Sequence, residues 1–148
     1  MDNDFTILLA EDDEADVLLV RRALQGAGIH SRMEVVADGE EAIAYLRGEN
    51  QYADRRRYPM PNLLLLDIKM PRKNGLEVLE WLRTNEQNGL KRLPVIIMSS
   101  SSLQVDIDRA YDLGVNAYLI KPSAFGELVG TMRKTAEFWK DTVEHPSV

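Results

Sequence analysis

Five short apolar runs alternate with five amphipathic stretches along this chain, and few folds accept that order. Four of the runs are continuous, namely Phe5 to Ala10, Asn62 to Leu66, Pro94 to Met98 and Ala117 to Ile120. Strands covered by helices on both faces read this way. The fifth, Met33 to Ala37, is weaker and reads as an edge strand. The amphipathic stretches are Ala15 to Gln25, Asp38 to Arg47, Asn74 to Asn85, Leu103 to Leu113, and Ala124 to about Val143. In the last, Phe125, Leu128, Val129, Met132, Ala136 and Trp139 recur at the spacing of one helix face. Asp38 with Glu41 makes a capping-box pattern, and Gly26 and Gly114 stand where helices should stop.

Strand and helix units in series predict a parallel sheet wound by right-handed crossovers, an α/β doubly wound fold of the flavodoxin-like class with strand order 2-1-3-4-5. At 148 residues with 45% hydrophobic content the chain can bury one core, so residues 1–148 are read as a single domain with no output domain after the fifth helix. The one long connection, Gly48 to Pro61, is of a length that is either functional or mobile.

Ligands of such sheets bind outside the carboxyl ends of the strands, at the switch between strands one and three. Four strands end there on reactive groups: Glu11 and Asp12, Asp67, Ser99, and Lys121. Three carboxylates about 5 Å apart repel by roughly 3 kcal/mol per pair at an effective dielectric of about 20. Two compensators suggest themselves, Lys121 and a hard divalent cation, of which Mg²⁺ best suits one or two carboxylates shared with water and phosphate. Asp67 closes a buried strand ahead of a turn with Pro71 and Gly75, so its carboxylate should stand at the mouth of the crevice. A carboxylate there can attack a phosphoryl group to give an acyl phosphate. Glu11 and Asp12 would hold the metal, while Ser99 and Lys121 would meet the phosphoryl oxygens.

Composition removes other classes. A net charge of −6 argues against nucleic acid as a main partner. The absence of cysteine excludes disulfides and thiolate chemistry. The start, Met1 to Asp4, is acidic where a signal peptide is basic, and the apolar runs are too short to span a bilayer, which places the chain in the cytoplasm with no membrane partner.

The segment Ile7 to Asp12, the run Leu65-Leu-Asp67-Ile-Lys-Met-Pro71 with Gly75, the segment Pro94 to Ser99, and Lys121-Pro122 together resemble the four signature blocks of bacterial response-regulator receiver domains. The resemblance spans about Thr6 to Lys140. It implies that Asp67 accepts a phosphoryl group from a histidine kinase. It further implies that Asp12, Asp67 and the main-chain carbonyl of Lys69 bind Mg²⁺, with Glu11 acting through water. Ser99 and Tyr118 would then move together to reshape the face of the fourth helix, fifth strand and fifth helix. A cis Lys121–Pro122 bond is usual in the family. Two departures stand out: serine at position 99 where threonine is common, and the cation of Lys69, which could slow hydrolysis. The long loop, the run from Asp67 to Gly75 and the Phe138-Trp139-Lys140 ending resemble the single-domain regulators of phytochrome-type histidine kinases. That implies such a kinase as partner, and commonly a homodimer.

Blander readings stand beside these. Asp13, Glu14 and Asp16 read as acids at a helix start, favourable to its dipole. The serines from Ser99 to Ser102 could only cap the next helix, and Tyr118 could be a core aromatic. Arg55 to Arg57 reads as a solvated loop face, with partner docking as the sharper alternative. Phe138 and Trp139 pack either on the domain or on a second subunit, while His30, His145 and Trp81 receive no role. Two other functions compete. A haloacid-dehalogenase-like hydrolase would carry an acid at position 69, where this chain has lysine. A phosphorylation-independent adaptor would not need the full acidic, hydroxyl and lysine set, and a flavin module would be repelled by Glu11, Asp12 and Asp13.

Overall fold

A computed structural model describes residues 5–87 and 89–148. Its strands are β1 (Thr6–Ala10), β2 (Arg32–Val36), β3 (Leu63–Leu66), β4 (Val95–Ser99) and β5 (Ala117–Ile120). All are parallel, in the order β2-β1-β3-β4-β5, as the alternation predicts. The helices are α1 (Glu14–Gly26), α2 (Gly39–Arg47), α3 (Gly75–Thr84), α4 (Gln104–Asp112) and α5 (Phe125–Glu137), with a wider π turn at Phe138–Thr142. The acidic start Met1 to Asp4 lies outside the described residues. Among the described residues no helix is long and apolar enough to cross a membrane.

The strand period of two sorts the apolar runs into two cores. Ile7, Leu9, Leu63, Leu65, Ile96 and Met98 point to one face, where Val20, Ala23 and Leu24 of α1 and Leu128, Met132 and Ala136 of α5 cover them. Leu8, Ala10, Leu64, Leu66, Val95 and Ile97 point to the other, under α2, α3 and Ala110 of α4. The three central strands are buried throughout. β5 departs from the reading that both its faces are covered: Ala117, Tyr118 and Leu119 are half-buried and Ile120 is exposed. It is the last strand of the sheet, with one neighbour and a free edge.

Helix ends follow local chemistry with some changes of actor. Asp38 caps α2 by accepting from the Glu41 amide, while the Glu41 carboxylate reaches back to the Ala37 amide. A reciprocal box that the sequence reading passes over, Asn74 with Glu77, starts α3. α1 stops at Gly26, where the sequence reading ends it, and the left-handed residue that follows is Gly28.

The connection from 48 to 61 is packed. It carries a 3₁₀ turn, Asn50–Ala53, and Tyr52 is buried against Tyr45 and Tyr58 with ring centroids 4.9 and 5.1 Å apart. Arg55 is half-buried as well, donating to the carbonyls of Leu46 at 3.0 Å and Tyr58 at 3.2 Å. This corrects the reading of Arg55 as part of a solvated face: a guanidinium has enough donors to close two turns of chain at once. The Lys121–Pro122 bond is trans, unlike the usual family geometry.

Candidate functional site

Backbone ladders fix where the functional side chains emerge. The Glu11 amide donates to Val36, the Asp67 amide to Ala10 at 3.1 Å, and the Lys121 amide to Ser99 at 2.8 Å, each one residue beyond its formal strand. Glu11, Asp67 and Lys121 therefore leave the sheet with fixed backbones. The turn after Asp67 is held by Gly75, whose amide donates to Ile68 at 2.8 Å. A Cβ at Gly75 would fall 2.1 Å from the Asp67 carbonyl oxygen, so only glycine lets α3 start this close to the strand end.

Glu11, Asp12 and Asp67 each place a carboxylate oxygen within 4.8 Å of the others. Glu11 and Asp67 are buried and Asp12 is exposed. Lys121 reaches the same point across the sheet. Its ammonium pairs with Glu11 Oε1 in a short contact, with Asp16 Oδ2 at 3.1 Å and with Asp67 Oδ2 at 3.4 Å. Burial pushes the Glu11 carboxyl up to about 7; the hydrogen bond from Lys121 works against this, and the charge of Asp67 adds to it. Burial alone would lower the Lys121 ammonium, but its hydrogen bonds to Glu11 and Asp16 and the charge of Asp67 outweigh this and hold the group above its ordinary value. Lys121 is a permanent cation facing more carboxylates than it can neutralise.

That surplus of buried and half-buried oxygen charge is the donor set a hard divalent cation takes. The residues present fit one: Asp12 and Asp67 can offer carboxylate oxygens, and the exposed Lys69 lies two residues beyond Asp67, where its carbonyl belongs to the same turn.

Ser99 is buried at the end of β4, and its Oγ accepts the Ser101 amide at 3.1 Å. Tyr118, half-buried on β5, donates its hydroxyl to the Ser101 carbonyl at 2.8 Å. Both side chains thus hold the same loop, β4 to α4. Asp13 behaves as a helix-start acid, capping the amides of Ala15 and Asp16. Asp16 also stands in the first turn of α1, as expected, but its carboxylate in addition reaches Lys121, a place in the site that the sequence reading missed. One signal was available: helix side chains lean toward the N-terminus, so an acid in the first turn of α1 leans back toward the end of β1. Arg72 was also unforeseen. It takes a left-handed backbone with φ of 67° and pairs with buried Asp38 at 3.2 Å.

Comparison with known proteins agrees with this geometry. A family model described as the response regulator receiver domain matches residues 7–133. Response regulator Rcp1 of Synechocystis sp. is 36% identical over 141 residues, covering 95% of this chain and 92% of Rcp1. Its Mn²⁺-bound form superposes with a TM-score of 0.84, covering 97% of this chain and 99% of that one. The phosphorylated cyanobacterial phytochrome response regulator RcpA is 38% identical with a TM-score of 0.87, and RPA3017, of red light signalling in R. palustris, is 37% identical with a TM-score of 0.91. Each covers 97% of this chain and 99% of its own. Five parallel strands in this order, an acidic rim opposite a lysine, and a family match over most of the length lead to one assignment: the chain belongs to the response regulator receiver domains of two-component systems.

Proposed function

We propose that this chain is a phosphorylation switch in which Asp67 accepts a phosphoryl group from the phosphohistidine of a histidine kinase. The observation that carries the reading is the meeting of Asp67 with Glu11, Asp12 and Lys121 at one rim of the sheet. One Oδ atom of Asp67 forms the O–P bond as the P–N bond breaks, and the departing imidazole keeps that electron pair. Asp12, Asp67 and the main-chain carbonyl of Lys69 would hold Mg²⁺, with Glu11 acting through water. Bound there, the cation screens the charge of the incoming group. Lys121 supplies a fixed positive charge to one phosphoryl oxygen, and the Ser99 hydroxyl can donate to another.

The single carboxylate charge of Asp67 gives way to a phosphoryl group of about −1.5 to −2, so the rim gains up to about one negative charge. Ser99 Oγ now accepts from Ser101, and Tyr118 is tied to the same residue, so turning the Ser99 hydroxyl to a phosphoryl oxygen disturbs both holds on the β4–α4 loop. The face beyond that loop exposes Leu103, Val105, Tyr111, Ile120 and Phe125, apolar surface suited to a docking partner. Exposed Phe138, edge-on to Trp139 at 5.6 Å, adds to it and suits a homodimer. The relatedness to RcpA, a phytochrome response regulator, and to RPA3017, of red light signalling, supports a phytochrome-type kinase as the phosphoryl source; with it the receiver would act in the cytoplasm as a single-domain signalling protein.

Treatment with acetyl phosphate and Mg²⁺ should add one alkali-labile phosphate, seen by mass spectrometry, and Asp67→Asn should abolish it. A variant that kept the same label would overturn the assignment of the acceptor.

A further inference from the structure

The three N–H bonds of the Lys121 ammonium are already committed, one each to Glu11, Asp16 and Asp67. A lysine in that state has no donor left for a phosphoryl oxygen, so one partner must leave when Asp67 is phosphorylated. Asp67 loses its carboxylate charge to the O–P bond, so the N–H it receives, the longest contact of the three at 3.4 Å, passes first to a phosphoryl oxygen; drawing the ammonium closer to that more highly charged group then loosens either Glu11 or Asp16. Glu11 is only 3% exposed, its backbone is fixed to Val36, and losing Lys121 would leave a carboxylate buried without its cation. Asp16 differs on each count. Its side chain is 37% exposed, it stands on the first turn of α1 rather than on the sheet, and a χ1 rotation delivers its carboxylate to water. In the unphosphorylated protein it lies nearer to the Lys121 nitrogen than Asp67 does, at 3.1 against 3.4 Å.

We infer that Asp16 is a positioning residue that holds the Lys121 ammonium while Asp67 is unmodified and yields it to the phosphoryl group, so that phosphorylation exchanges one carboxylate partner of Lys121 for a phosphoryl oxygen. The inference rests on the receiver reading above and deepens it. Asp16 sets how much the site gives up on binding the phosphoryl group, and so the balance between the two states.

The test uses the full chain at saturating Mg²⁺ with beryllofluoride, a non-covalent phosphoryl mimic, titrated by ¹⁹F NMR. Asp16→Asn should bind it about two- to fivefold more tightly, the range of a partly exposed ion pair, and Asp16→Glu should return affinity toward that of the parent. In a Lys121→Ala background Asp16→Asn should have no effect. An unchanged or weaker affinity in Asp16→Asn, or a gain that persists without Lys121, would overturn the inference, the latter because simple relief of negative charge needs no lysine. A second measurement does not depend on the Lys121 variant folding. The ¹⁵N resonance of the Lys121 ammonium should shift on Asp16→Asn in the free protein and not in the beryllofluoride complex; equal shifts in both would overturn the exchange. Failure of the parent to bind beryllofluoride and to take label on Asp67 would instead remove the receiver reading itself.

Discussion

Two part-buried cations sit at opposite ends of the sheet, and they are held in opposite ways. Lys121, at the carboxyl ends of the strands, is surrounded by carboxylates. Arg83, at the other end, donates to the carbonyls of Gly114 at 2.7 Å, Lys91 at 2.9 Å and Leu93 at 2.8 Å, and to Asn116 Oδ1 at 2.9 Å. Those acceptors belong to the α4–β5 turn and to the chain entering β4, and Asn116 Oδ1 also takes the Val95 amide at 2.8 Å. Burial lowers the Arg83 guanidinium somewhat, but an arginine remains charged throughout the useful pH range. Carbonyls set in backbone cannot leave or take up a proton, whereas carboxylates can do both. Neutral acceptors make a permanent staple, and charged acceptors make a set of partners that a newly arrived charge can reorder.

Substitution separates the two most clearly at Arg83. Arg83→Met leaves three carbonyls without their guanidinium donor, while Asn116 Oδ1 keeps the Val95 amide, and should cost about 3 kcal/mol of stability, since hydrogen bonds to charged groups are worth roughly 1.5–3 kcal/mol each and do not add in full. Urea unfolding measures the loss, while the folded fraction should still label on Asp67. Lys121→Met should cost less, because Asp16 can turn to solvent, an escape absent around Arg83. Equal losses in the two variants would break the contrast.

A carboxylate can also be immobilised when its donors are neutral, and Glu41 tests this. Its Oε1 accepts the Tyr52 hydroxyl at 2.6 Å and its Oε2 the Ala37 amide at 3.0 Å. Burial, with the charge of Glu41, holds the Tyr52 phenol well above its ordinary value, and burial, with the charge of Glu34, raises Tyr45 to about 12. Folded-state values above the unfolded one mean that the unfolded chain releases these protons first. Their contribution is therefore complete below about pH 10 and is lost as pH rises above it. Tyr52→Phe should lower stability by about 1 kcal/mol near neutrality and flatten the alkaline decline, both read from urea titrations across pH.

How much of this was legible in the sequence follows from the same physics. Apolar runs report that a strand is covered, so Asn62 to Leu66 and Pro94 to Met98 mark the strands found as Leu63–Leu66 and Val95–Ser99 and, through them, the rim where Glu11, Asp12, Asp67 and Lys121 meet. They do not report position in the sheet, which is why Ala117 to Ile120 reads as fully covered although it forms an edge. Glycine signals a stop, and α1 does end on Gly26, but it does not tell which residue turns left-handed, which after α1 is Gly28 and after α4 is Gly114. Guanidinium staples have no pattern at all: Arg55 and Arg83 bond to carbonyls that every residue carries, so nothing in their spacing sets them apart from solvated arginines.

Arg72 supplies the smallest effect and the closest control on the comparison. Like Lys121 it is a cation at the active rim facing a buried carboxylate, Asp38, but its own side chain is 66% exposed. If solvent access decides what a charged pair contributes, this one is nearly silent: Arg72→Ala should lose no more than about 1 kcal/mol, and high salt should erase the difference from the parent in urea unfolding. Asp38 keeps the Glu41 amide in either case, so its capping of α2 survives the substitution. The left-handed backbone at position 72 is a separate cost that alanine retains and Arg72→Gly relieves, so the glycine variant isolates the ion pair from the turn. A loss that persisted in high salt and in both variants would mean that the Arg72 pair is shielded from screening despite its exposure, so that solvent access does not decide what a charged pair contributes at this rim, and the distinction between Lys121 and Arg83 would have to rest on something other than the ease with which a carboxylate returns to water.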